Sequence, residues 1–152
     1  MNHWLMKSEP SVYSITDLKR DRTTYWDGVR NYQARNFMRD SMKKGDLVLF
    51  YHSNADPSGV AGIAKVSKTA YPDHTAWDKR DEHFDPASTQ EKPVWFMIDV
   101  QYVETFPKIV TLEALKKDAR LKGMAVVRPG MRLSVQPVEK EHFDIVCAMG
   151  RA

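Results

Sequence analysis

The chain has one cysteine, Cys147, among its 152 residues. No disulfide can close within it and no CxxC metal knuckle can form, so a reducing compartment is expected. No apolar run approaches the roughly 20 residues that cross a bilayer. The N-terminus opens into "HWLMK" without an apolar signal core or cleavage site. A cytoplasmic location with no membrane partner is the expectation. HExxH, GxSxG, GxGxxG and GxxxxGKS/T are all missing, which removes the commonest zinc, serine-hydrolase, dinucleotide and phosphate-loop chemistries. No catalytic residue, metal or cofactor is expected. A large charge excess is lacking too: a net charge of +3 permits a nucleic-acid partner but falls short of a polybasic arm. There is no repeat, low-complexity tract or linker-like shift in composition. Residues 1–152 are expected to form one monomeric domain with a core of its own.

What is present alternates between short strands and short helices. "HWLMK" (3–7) reads as a strand. In "YSITDLKR", Ser14 is an N-cap with Asp17 three residues on, and Tyr13 and Leu18 occupy the positions of a hydrophobic staple. "TTYW" (23–26) is extended, and Asp27-Gly28 turns the chain. Asn31 caps a helix expected to reach about Lys43, with Ala34, Met38 and Met42 as its buried row and Arg35, Arg39 and Lys43 beside them. "LVLFYHS" (47–53) and "VAGIAKVSK" (60–68) are strands, the second with small residues that allow close backbone approach. Tyr71 to Pro93 is a long polar loop. In "VWFMIDVQYVETF" (94–106), Phe96, Ile98 and Val100 share one face, which predicts their burial together. Thr111 caps a helix, "RLSV" (132–135) is a strand, and "VEKEHFDIVCAM" is a last helix stopped by Gly150. Such an order lacks the β-α-β-α rhythm of a parallel sheet. The expected fold class is α+β, a small, mostly antiparallel barrel of short strands flanked by helices.

Chemistry concentrates in "YWDGVRNYQARNF" (25–37). Trp26 is either core or an exposed wall, and Arg30 either a surface pair or an anion contact. A helix start at Asn31 with Arg30 alongside is an anion site in outline. Aromatic rings beside basic residues also describe platforms for single-stranded nucleic acid. Cys147, on the apolar face of the last helix, reads as a buried thiol. "DKRDEHFD" (78–85) gathers Asp78, Asp81, Glu82, His83 and Asp85, which could form a hard-cation or acid/base site, but Lys79 and Arg80 interleave with the acids and a solvated loop is the favoured reading. His52, ending a strand, is either satisfied locally or faces a ligand.

The motifs "HWLMKSEP", "YWDGVRNYQARNFMR", "GDLVLFYHSN", "GIAKV", "AYPDHTAWD", "FDPAS", "MIDVQYV" and "RLSVQP" follow one another from residue 3 to residue 137. Together they resemble the EVE domain, a PUA-like relative of the YTH and ASCH domains. The resemblance implies a PUA-like pseudo-barrel and a non-enzymatic reader of modified DNA or RNA that flips a base into an aromatic pocket. By the YTH pattern, Ser8 and Trp26 are implied pocket residues, with Asn31, Tyr32, Tyr51, His52 and Tyr71 as further ones. Trp77 and Trp95 are candidates for a second wall. Lys7, Arg30, Arg35 and Arg39 are implied to hold phosphates, and Ser8 and Asn31 to bond the base edge. A methyl group is worth on the order of 0.8 kcal/mol when buried, so strong selectivity requires those edge contacts. Two rivals stand beside this reading. One is a plain RNA-binding module. The other is an ASCH-like nuclease that would draw on His52, Lys7 and Glu9.

Overall fold

The computed structural model describes residues 1–152. Six strands form one mixed sheet: β1 (His3–Ser8), β2 (Thr23–Trp26), β3 (Leu47–His52), β4 (Gly59–Pro72), β5 (Phe96–Thr111) and β6 (Val135–Val138). Their spatial order is β2-β5-β4-β3-β1-β6. β1 runs parallel to β3, with Ser8 opposite His52, and every other pairing is antiparallel. The sheet is open, since β2 and β6 end it without pairing to each other. Four helices pack around it: α1 (Ile15–Asp21), α2 (Tyr32–Asn36), α3 (Leu112–Lys117) and α4 (Lys140–Arg151). The architecture is α+β and PUA-like.

The helices begin where side chains satisfy their free N–H groups. Ser14 and Asp17 close a capping box on α1, Asn31 accepts from Ala34 N–H at α2, and Thr111 accepts from Ala114 N–H at α3. α2 runs on as a π-helical turn, Phe37–Ser41, in which Met42 N–H reaches back to the Phe37 carbonyl. The row Ala34, Met38 and Met42 is buried as expected.

Alternation in the central strands feeds two cores. Trp4, Met6, Val48 and Phe50 join Leu18, Trp26, Met38, Ile98 and Val100 in one, while Leu5, Leu49 and Tyr51 join Phe106, Leu115 and Phe143 in the other. Both faces of β1 and β3 are therefore covered, which explains their nearly unbroken apolar runs.

Four details depart from the sequence reading. Ile98 and Val100 are buried, but Phe96 is only half-buried, with the Arg39 guanidinium 5.9 Å above its ring. Met97, on the opposite face, is 2% exposed, because the long loop closes back on this end of β5 through an Asp73 N–H bond to the Trp95 carbonyl. The last strand is displaced to Val135–Val138, in register with Met6 to His3. Gly150 lies inside α4 rather than beyond it: a β-carbon there would stand 2.3 Å from Phe106 Cδ2, so the residue serves close packing.

Candidate nucleic-acid interface

The end of β1, the turn before α1, all but the first residue of β2 and one part of the long loop enclose a cleft of about 450 Å³. That volume falls within the roughly 300–1,000 Å³ of ordinary ligand sites. Tyr13, Tyr25 and Trp26 supply its aromatic surface, and Lys7, Ser8 and Asp27 are polar groups on it. Glu82 and His83 close the far side.

Each wall has a local cause. Ser8 Oγ donates to the Tyr13 carbonyl at 2.6 Å, tying β1 to the turn before α1. The buried His52 sits behind that turn, and its Nε2 accepts from Ile15 N–H at 3.1 Å. Burial lowers the basicity of His52, which favours the neutral ring that this contact needs. The Tyr13 hydroxyl donates to Asp21, and burial together with that bond pushes its pKa up to about 12.

On the other side, Gly28 takes φ of 78°, and the His83 ring lies directly against it. Behind both stands Asp73, with no exposed side-chain surface. Asp73 accepts from Gly28 N–H, from Arg30 Nη1 and from both the N–H and hydroxyl of Thr75, at 2.6–3.0 Å. Burial pushes the Asp73 carboxyl up, but these bonds outweigh it and hold it below the usual carboxylate range. Arg30 also donates twice to the His83 carbonyl, at 2.7 and 3.0 Å. It is a strap between the β2–α2 turn and the loop.

Of the site residues singled out in the sequence, the cleft brings together Lys7, Ser8, Glu9 and Trp26. Trp26 is both alternatives at once. It is 9% exposed and edge-on to Phe50 at 5.5 Å within the core, yet it reaches the cleft. The turn at Asp27-Gly28 does not free the ring from the core. Asn31 is occupied as the cap of α2. Tyr32 stacks on Trp95 at 4.9 Å, outside the cleft, with the Arg35 guanidinium also 4.9 Å from its centroid. Tyr51 is buried in the second core. Tyr71 donates to Asp99 on the neighbouring strand. Arg35 donates to the Val94 carbonyl and Asn36, and Arg39 pairs with Asp40. Arg35 and Arg39 thus have partners within the protein, while Lys43 is exposed.

Neither candidate second tryptophan lines the cleft; Trp95 Nε1 donates instead to Asp85. Tyr13 and Tyr25, together with Glu82 and His83, are the cleft residues that sequence reasoning missed. Tyr13 had been absorbed as a staple and Tyr25 as strand. Tyr25, 49% exposed beside the buried Trp26, was the legible signal of a ring facing outward.

The cleft carries more acid than base, with Glu9, Asp27 and Glu82 against Lys7. Burial lowers the Lys7 amine, whose Nζ lies 5.8 Å from the Tyr51 centroid and 3.5 Å from the Met131 carbonyl. Burial raises Asp27, and the nearby Asp73 and Asp81 raise it further. Ligand atoms of Asp27, Asp81 and His83 lie within 4.8 Å of one another. His83 Nδ1 faces Asp81 Oδ1 at 3.2 Å.

The chain is similar to known proteins in both sequence and fold. Human thymocyte nuclear protein 1 is 45% identical over 97% of this chain and 73% of its own length. A crystal structure of a Pseudomonas syringae protein superposes with a TM-score of 0.94 at 46% identity, covering 97% of this chain and 98% of that one. The crystal structure of human THYN1 protein in complex with 5-methylcytosine containing DNA superposes at 0.92 with 44% identity, covering 100% and 99%. The relative's name overturns the expected cytoplasmic location, since it designates a nuclear protein. Cysteine usage could not have told the two apart, because disulfides are rare in both compartments. The EVE domain matches residues 2–149, and the chain belongs to that family.

Proposed function

We propose that the chain is a non-enzymatic reader of modified DNA that takes a flipped 5-methylcytosine into the cleft between β1 and β2. The observation that carries this reading is the composition of the cleft: three aromatic side chains, Tyr13, Tyr25 and Trp26, next to the polar groups Ser8 and Asp27. Flipping costs a few kcal/mol of unstacking, which stacking on aromatic rings offsets. The human relative bound to 5-methylcytosine-containing DNA supports the choice of ligand.

Phosphates stay outside, because the acidic lining repels them. Arg128 and Arg132 suit that role. Both are exposed, without hydrogen-bonded or ion-paired side chains, in the segment whose Met131 carbonyl touches Lys7 at the cleft. A nuclease reading built on His52, Lys7 and Glu9 loses support, since His52 Nε2 is committed to Ile15 and Glu9 accepts from Asn54.

The test is fluorescence-anisotropy binding to matched oligonucleotides carrying cytosine or 5-methylcytosine. Tighter binding of the methylated strand, reduced about tenfold or more by Tyr25→Ala, is expected from the loss of one stacking surface. Equal affinity for both strands would overturn the reading.

A further inference from the structure

Most carboxylates in this protein that lie partly or wholly out of solvent are satisfied by it. Asp46 accepts from Asn2 N–H, Trp4 Nε1 and Lys43 N–H; Asp73 has its four donors; Asp85 has Trp95 Nε1 and Ala87 N–H; Asp99 has Tyr71. Asp27 is the exception. It is half-buried on the cleft wall, and its side chain accepts a hydrogen bond from no other residue. The neighbouring backbone donor, Gly28 N–H, is already taken by Asp73. The Asp27 backbone N–H is the one protein donor its carboxyl has, and Asp27 lines the cleft that the ligand would fill.

The charged groups around it offer no donor in place. From the loop come Asp81, Glu82 and His83, with His83 Nδ1 turned to Asp81. From β1 and its end come Lys7, directed at the Met131 carbonyl, and Glu9. Behind lie Asp73 and Arg30, bonded to each other at 3.0 Å. No other residue donates to Asp27, which leaves its carboxyl free to bond what enters the cleft.

Resting on the reader function proposed above, we infer that Asp27 reads the N3/N4 edge of the flipped cytosine through one shared proton. The exocyclic N4–H donates to one carboxyl oxygen. The other oxygen and the ring N3 share a single proton taken up from solvent: carboxyl O–H donates to N3, or protonated N3–H donates to carboxylate. Charge-assisted bonds of the second kind are about twice as strong as neutral ones. The aromatic walls then sense the methyl and Asp27 holds the N3/N4 edge of the base.

Binding of the methylated oligonucleotide, followed from about pH 5 to about pH 9, tests this, since uptake of one proton gives at most a tenfold loss of affinity per pH unit. The native chain should show that loss above the pH at which free Asp27 ionises. Asp27→Asn, whose amide offers the same acceptor and donor without a titrating proton, should bind comparably at low pH and lose the pH dependence. His83→Gln should keep the dependence. A flat profile for the native chain, or a slope unchanged by Asp27→Asn, would overturn this inference while leaving the reader function standing. A slope removed by His83→Gln alone would move the proton to the imidazole and overturn it as well. No binding of methylated DNA at any pH would remove the reader function and this inference together.

Discussion

The His83 imidazole lies against Gly28, so close that a β-carbon at Gly28 would stand 2.6 Å from its Cε1. Gly28 also holds φ of 78°, where a side chain costs about 1–2 kcal/mol on its own. Gly28→Ala is expected to exceed that cost in chemical denaturation, because the ring must also move. It should weaken binding of methylated oligonucleotide in the fraction that remains folded. Unchanged binding would show that the position of His83 does not matter to the ligand.

Trp26 and Tyr25 are adjacent but should respond differently. Trp26, 9% exposed and packed on Phe50, should cost about 3–5 kcal/mol of stability when replaced by alanine. Tyr25, 49% exposed and edge-on to His74, should cost about 1 kcal/mol or less. Both should lose about 1–3 kcal/mol of affinity. Melting temperature and affinity measured on the same two proteins check the pair. Tyr25→Ala with native affinity would remove that ring from the site.

The two groups of arginines should separate by salt. Arg30→Ala leaves the fully buried Asp73 without its cationic partner, an expected loss of about 3–5 kcal/mol of stability. Its effect on the salt dependence of binding should be negligible. Arg128→Ala and Arg132→Ala should leave stability within about 0.5 kcal/mol. Each should reduce the log–log salt slope by about 0.7 on single strands or 0.9 on duplex. An unaltered slope in both would mean that phosphates are held elsewhere.

Asp27 and Asp73 should give opposite pH profiles of stability. The Asp27 carboxyl is raised in the fold, so its contribution is fully present below the unfolded carboxyl's pKa and is lost as pH rises through the folded value. Asp27→Asn cannot ionise and should melt above the native chain at pH 7, the difference vanishing in acid. The Asp73 carboxyl is depressed, so its contribution is present above the unfolded pKa and disappears as pH falls through the folded value. Asp73→Asn should melt below the native chain at pH 7, with the gap closing in acid. Calorimetric scans across that range decide both signs.

What could be read in advance was what neighbours in sequence decide. Ser14 with Asp17, Asn31 and Thr111 start their helices through partners three residues away. The alternation in β1 and β3 fixes which side chains enter which core. The cleft was only half legible, because its second side depends on contacts between distant segments. Arg30 reaches His83 across 53 positions and Asp73 across 43. Nothing local to "DKRDEHFD" announces that its histidine will rest on a glycine of another turn, so its mixed charge read as solvent-facing. Arg35 of α2 and Arg39 of the turn after it meet groups that the local sequence does not announce: Val94 and the rings of Trp95 and Phe96 belong to β5 and the residues leading into it.

β1 is hydrogen-bonded to β3 on one side and β6 on the other, and its end carries Lys7 and Ser8. Opposite, Glu82 and His83 sit on a loop outside the sheet, held by local turn bonds such as Phe84 N–H to the Asp81 carbonyl, by His83 N–H donating to the Asp81 side chain and by Arg30 donating to the His83 carbonyl. The cleft therefore has one stiff jaw and one compliant jaw. Adaptation to a ligand falls on the compliant one, so amide exchange should slow around residues 81–84 on binding while β1 amides, already protected by the sheet, change little.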